Sequence, residues 1–247
     1  MKPTELHSEP DVLIQAEQTP PPDSSVIIGF PGNGLVGTIA VSYLVDALEF
    51  QQIGHIRSKF FPPMVLMSNG VISIPVRIYA KDKFIAILAD IPIQPGLCYE
   101  VAKTLVSWFT SIFIKEIIVI AGIVTNEPEH RIFATVTEKD HLETLPEACI
   151  PLEIGNISGI TGSILMEAKM QKIPGIGLLA ETVNAPDPRA SASTISALNT
   201  YFSLDMDVSA LLEQAESIEA QMHSLAEDVS NSNADDMQKR EMLQMYG

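Results

Sequence analysis

The run Gly29-Phe-Pro-Gly32-Asn-Gly34-Leu-Val-Gly37 has the residue types and spacing of an anion cradle. It follows the β-branched run Val26-Ile27-Ile28 and opens a helical pattern. Glycines at such a turn let the backbone approach a phosphate, and the helix N-terminus favours negative charge. Gly32-x-Gly34-x-x-Gly37 also fits the letters of a dinucleotide fingerprint. However, Gln51 and Gln52 stand where an acidic ribose ligand belongs, and Glu49 falls at the end of the helix. No Lys-Ser/Thr pair follows, so the loop is not a Walker loop. Gly29, Pro31, Gly32, Gly34 and Gly37 are therefore read as a structural tight turn, with cofactor binding as the alternative.

The other reactive side chains do not assemble. His7, His55, His130, His141 and His223 are scattered, without metal spacing. His130 with Glu127 and Glu129 is the best local cluster and reads as a solvated loop. There is no Gly-x-Ser-x-Gly elbow, and Thr161-Gly-Ser163 reads as a helix N-cap. Asp90 closes a strand, where α/β enzymes place catalytic groups, but no partner for it is visible. Cys98 and Cys149 are too few for a disulfide framework and read as buried thiols in a reducing compartment. The expectation is a chain with no catalytic residue, no metal and no cofactor.

Met245-Tyr246-Gly247 closes the sequence with chemistry of another kind: an apolar anchor, an amphipathic ring and a carboxylate. Together they suit a pocket that offers a hydrophobic slot and a cation. The residues before them, Ser230-Asn-Ser-Asn-Ala-Asp-Asp236, have linker composition.

These groups need elements to carry them. Residues 1–24 read as an arm, with a short edge strand over 11–15 ahead of Pro20-Pro21-Pro22. Buried strands are expected at 26–30, 116–122 and 176–181, with further strands at 64–67, 72–79, 84–90 and 132–137. Asn69-Gly70 reads as a hairpin turn. Helices are expected from Leu35 to Ala47, and over 97–111, 138–145, 163–171 and 190–202. A last helix carries Val208, Leu211, Ala215, Ile218, Met222, Leu225 and Val229 at heptad spacing. That seam fits a helix packed on its own sheet or one paired between subunits. The alternation of strands and helices makes an α/β sandwich with a mixed, largely parallel central sheet the economical fold. The domain expectation is an arm over 1–24, a body over 25–229 that includes the helix 207–229, and a flexible acidic tail over 230–247.

Composition narrows the partners. At 247 residues and 46% hydrophobic, the chain can bury a sizeable core. A formal charge of −16 repels phosphate backbones and argues against nucleic acid. From Asp205 onward, ten acidic residues face only Lys239 and Arg240, so this end suits a basic partner. The sequence lacks a signal-peptide pattern, and its longest apolar run, Ile112 to Ile123, is broken by Lys115 and Glu116. The expectation is a cytoplasmic protein with no membrane partner.

Taken in order, the Gly29–Gly37 motif, Tyr43-Leu44, Gly155-Asn-Ile-Ser-Gly-Ile-Thr-Gly162, Leu178-Leu-Ala-Glu-Thr182 and Pro186-Asp-Pro188 resemble the archaeal proteasome assembly chaperone family. The resemblance covers about residues 10–225. It implies a three-layer sandwich related to nucleoside phosphorylases but without their catalysis, ATP-independent action and a homo-oligomer. Some members end in a hydrophobic-Tyr-x tail that docks between the α subunits of the proteasome core particle, and Met245, Tyr246 and Gly247 match that tail. The alternative function is a nucleoside phosphorylase-like or nucleotide-binding enzyme that uses the Gly32–Gly37 loop.

Overall fold

The computed structural model describes residues 10–68, 70–126 and 129–217. Nine strands form one sheet. In chain order they are β1 (Val12–Ala16), β2 (Ser25–Gly29), β3 (Gln51–Ser58), β6 (Val76–Lys81), β7 (Phe84–Ala89), β8 (Glu116–Val124), β9 (Ile132–Val136), β10 (Cys149–Pro151) and β11 (Gly175–Thr182). The remaining two, β4 (Leu66–Ser68) and β5 (Val71–Ser73), pair only with each other. The nine-stranded order is β1-β3-β6-β7-β2-β8-β11-β9-β10. Strands β7, β2, β8 and β11 run parallel at its centre, and antiparallel pairings extend it on both sides. The fold is the expected mixed α/β sandwich.

Four helices cover the sheet: α1 (Val36–Ala47), α2 (Cys98–Ser111), α3 (Gly159–Met170) and α4 (Pro188–Phe202). Helices α1 and α4 pack together over β2, β7, β8 and β11, and α2 and α3 pack together on the other face. The period of two along the strands produces both cores. Val26, Ile28, Ile117 and Val119 join Val101, Leu105, Phe109 and Ile164 of α2 and α3 in one cluster. The alternate residues Ile27 and Ile118 are equally buried but lie outside that cluster. Helix α2 forms because Cys98, Val101, Ala102, Leu105, Val106 and Phe109 recur at helical spacing and are all buried. Each large side chain among them contributes about 1.5–3 kcal/mol.

Two buried polar knots tie distant segments together. Glu116 accepts from Ser25 Oγ and from the Tyr201 hydroxyl, each at 2.6 Å. Burial, reinforced by that carboxylate, pushes the Tyr201 phenol well above its ordinary pKa, so it stays a donor. Arg77, almost fully buried, pairs with Asp90 at 2.7 Å and donates Nε to the Tyr79 hydroxyl at 2.7 Å.

Several sequence expectations change. The strand expected over 72–79 is two strands, because Pro75 has no N–H for a ladder and separates β5 from β6. Strand β3 was not expected: only Ile53, Gly54 and Ile56 are buried in a polar stretch. Gly54 is required there, since a Cβ would lie 2.4 Å from Gln15 O on β1. Helix α3 starts at Gly159, so Ser158 is its N-cap position. Ser163, expected at the cap, sits inside the helix and donates to Gly159 O at 3.0 Å. The short edge strand expected over 11–15 does form, as β1 at one edge of the main sheet. The compact body ends at Met206, and residues from Asp207 form a separate unit. That unit is helical over 209–217, and the seam positions from Ile218 onward lie outside the described residues.

Candidate functional site

The glycine loop is folded onto its own neighbours. A Cβ on Gly29 would lie 2.1 Å from Gly37 O, so strand β2 and the first turn of α1 touch through backbone alone. Gly34 has φ +62, and a Cβ there would strike Thr182 Oγ1. The loop is also pinned by hydrogen bonds. Asp187 N donates to Gly34 O at 2.9 Å, and Asn33 Nδ2 donates to Gly122 O at 3.2 Å. These contacts make Gly29, Gly34 and Gly37 packing residues of the tight turn. Only Pro31, Gly32 and Asn33 reach the neighbouring cleft.

That cleft, of about 410 Å³, lies past the C-terminal end of β2, against Ala121, Gly122 and Ile123 of β8 and Leu179 of β11. Its far wall is the segment from Leu152 to Thr161, which leads into α3. Open sheets place ligands at such crevices. The chemistry of the lining is one-sided: Ile93, Ile123, Ile154 and Leu179 supply apolar surface, and Asn33, Asn156, Ser158 and Thr161 supply neutral polar groups. Among the described residues, none that lines it is acidic, basic, a histidine or a cysteine. The surface is suited to holding something uncharged, but it offers no side chain to move a proton at neutral pH.

Ionisable groups do gather beneath the loop. Asp187 Oδ2 accepts from Thr182 Oγ1 at 2.8 Å and lies 3.4 Å from His130 Nε2. Asp187 Oδ1 accepts from Ala190 N at 3.0 Å and so caps α4, with Pro188 at the first helical position. The residue types suggest a nucleophile, a base and an orienting acid, but the order is wrong. The carboxylate sits between the hydroxyl and the imidazole, and Thr182 is fully buried under Gly34. A catalytic triad needs the imidazole on the hydroxyl. This cluster is a helix cap joined to a strand end. His130 is thus placed against Asp187, and not simply in a solvated loop; Glu127 lies outside the described residues.

Beside it, Arg131 forms a two-pronged pair with the buried Glu181, with Nε to Oε2 at 2.9 Å and Nη2 to Oε1 at 2.7 Å. The Arg131 guanidinium holds the Glu181 carboxyl below its ordinary value, overriding burial. A depressed folded-state value contributes stability above the ordinary carboxylate pKa, and that contribution is lost as pH falls through the folded-state value. Acid titration of thermal stability is expected to show a loss below the ordinary value that is smaller in Glu181→Gln. An identical acid limb in both proteins would remove this pair from the stability of the fold.

The other candidates are used structurally. Asp90, without a visible partner in the sequence, is bound by Arg77. Cys98 and Cys149 are both buried and free, and burial pushes both thiols up, away from reactive thiolate. No group of metal-ligating side chains occurs among the described residues. No described helix is long and apolar enough to cross a membrane. Met245, Tyr246 and Gly247 lie outside the described residues. Sequence reasoning missed the Thr182–Asp187–His130 and Arg131–Glu181 contacts. Asp187 before Pro188 was the available signal, since Asp followed by Pro marks a helix start.

Comparison with known proteins adds context to this geometry. The model of the PAC2 family matches residues 26–226. The uncharacterised protein MJ0106 of Methanocaldococcus jannaschii is 32% identical over 203 residues, covering 82% of this chain and 85% of that protein. The crystal structure of Pyrococcus furiosus PbaA, described as an archaeal homolog of proteasome-assembly chaperone, superposes with a TM-score of 0.81. It is 30% identical, over 93% of this chain and 98% of that one. Pyrococcus furiosus PbaB, described as an archaeal proteasome activator, superposes with a TM-score of 0.78 at 26% identity, over 88% and 99%.

Proposed function

The chain belongs to the PAC2 family, and we propose that it is a non-enzymatic, ATP-independent assembly chaperone or activator of the proteasome, acting in the cytoplasm as a homo-oligomer. The observation that carries this reading is the similarity to PbaA and PbaB along nearly the whole body. The cleft supports it by its chemistry: among the described residues, the place where this fold would hold a substrate has no ionisable side chain in its lining. The enzyme alternative finds no acid or base among the described residues of that lining, and two glycines of its loop are packed, Gly34 against Thr182 and Gly37 against the Ile120 carbonyl.

The working part is the tail. Met245 fills an apolar groove between α subunits of the core particle, the Tyr246 ring packs beside it, and the Gly247 carboxylate pairs with a lysine. One such plug is a weak ligand. Several on one oligomer act at high effective concentration and become a strong one. Plugs seated at subunit junctions either guide assembly of the α ring or bias its gate toward opening. The test is sedimentation of the full-length protein with purified archaeal proteasome core particle. Co-sedimentation is expected, and fluorogenic peptide hydrolysis then reads the gate. Failure to co-sediment overturns the proposal.

A further inference from the structure

The hairpin β4–β5 stands apart from the sheet and presents an apolar face that nothing in the chain's described residues covers. Its register sets Met67 opposite Ile72 and Leu66 opposite Ser73. Alternation then puts Val65, Met67, Ile72 and Ile74 on one face. They are 56%, 76%, 64% and 37% exposed, while Val71, opposite Ser68, is 69% exposed on the other face. Exposed apolar side chains gathered on one face in this way mark an interaction surface.

The hairpin is held at its base. Arg77 Nη1 donates to Ser73 Oγ at 3.2 Å and to Ile74 O at 3.0 Å while it pairs with Asp90. Asp90 N donates to Pro75 O at 2.9 Å. Pro62, Pro63 and Pro75 stiffen the two stems. The face is therefore presented in a fixed position, which lowers the entropy cost of docking.

Charge selects the occupant. Residues 60–75 contain no charged side chain, in a chain of formal charge −16. Two copies of so acidic a protein repel each other over most of their surfaces and meet at low cost only where charge is missing. A partner chosen for basic surface gains nothing from this segment. Exposed strand pairs are ordinarily guarded by charged residues, and this one has none. We propose that the β4–β5 hairpin is the surface on which a second copy of this chain docks. The inference rests on the reading that the protein is a homo-oligomer and names the contact that makes it one.

The experiment compares the mass of full-length wild type with that of Met67→Glu/Ile72→Glu by sedimentation velocity and light scattering, with thermal melts of both. Both positions are exposed, so the body is expected to keep its melting behaviour. Wild type is expected to run as an oligomer and the variant as a monomer at the same concentration, a weakening of about 100-fold or more. A folded variant that keeps the wild-type mass overturns the hairpin and leaves the homo-oligomer standing. A monomeric wild type overturns both, while co-sedimentation with the core particle scores the proteasome reading separately. Should the double variant unfold, Met67→Cys carrying a benzophenone maleimide gives the second readout, because Cys98 and Cys149 are buried. Covalent dimer on illumination supports the contact, and its absence overturns it.

Discussion

A version of the protein ending at Gln244 is expected to lose co-sedimentation with the proteasome core particle while keeping the mass and melting temperature of the full-length form. The effect is all or none because avidity amplifies it. Linked plugs raise overall affinity by roughly 10²–10⁴ over a single one. On the proposed mechanism, removing Met245, Tyr246 and Gly247 deletes every plug of the oligomer at once. Stability is the control that separates a docking defect from a folding defect. Single substitutions order the contributions. Tyr246→Ala removes the ring and its hydroxyl and is expected to cost most, as buried aromatic anchors do. Met245→Ala is expected to cost less. An amidated C-terminus tests the carboxylate without altering a side chain. Equal binding by full-length and shortened forms would move recognition to the body and sink the tail mechanism.

The second large effect lies in the glycine loop, where neighbouring glycines have opposite roles. Gly29→Ala is expected to destabilise the fold by about 3 kcal/mol or more, because its Cβ would sit 2.1 Å from Gly37 O and 2.7 Å from Val41 Cγ2. Backbone cannot give way as a flexible side chain can, so β2 and α1 would have to separate. For a body of this size that loss lowers the melting temperature by ~6–12 °C. Gly32→Ala is expected to change stability by no more than about 0.5 kcal/mol. Gly32 is extended, and a Cβ there meets nothing within 4 Å. A ligand-cradling loop predicts the reverse emphasis, since Gly32 is the glycine that faces the cleft. Thermal melts of the two variants, with and without phosphate or nucleosides, decide between them. Ligand-dependent stabilisation lost in Gly32→Ala would restore the enzyme alternative.

The strands legible in the sequence were those whose signal is local. Ser25–Gly29 and Gly175–Thr182 are buried at every position, and apolar runs of that length stand out. Helix α2 was equally plain because its apolar face repeats at helical spacing. Strand β3 was not legible, since its stability comes from pairing with β1 and β6 and not from its own residues. The start of α3 was misplaced because Gly159, poor in helix propensity, occupies the first turn with φ +68. The break between β5 and β6 needed only Pro75, which the sequence displayed.

The sequence by itself determined the α/β class, the glycine turn, the acidic end and the tail chemistry, because periodicity, glycine spacing and composition act over a few neighbouring residues. Only the tertiary structure decided which side chains meet. Arg77 with Asp90, Glu116 with Ser25 and Tyr201, and His130 with Asp187 are brought together by sheet order, which single-chain periodicity does not encode. Tertiary structure also decided that the cleft has no ionisable lining among the described residues and that the hairpin at 66–73 leaves the sheet. Burial is a property of the whole packing, so apolar residues that the sequence shows only as strands stand as exposed surface in the fold.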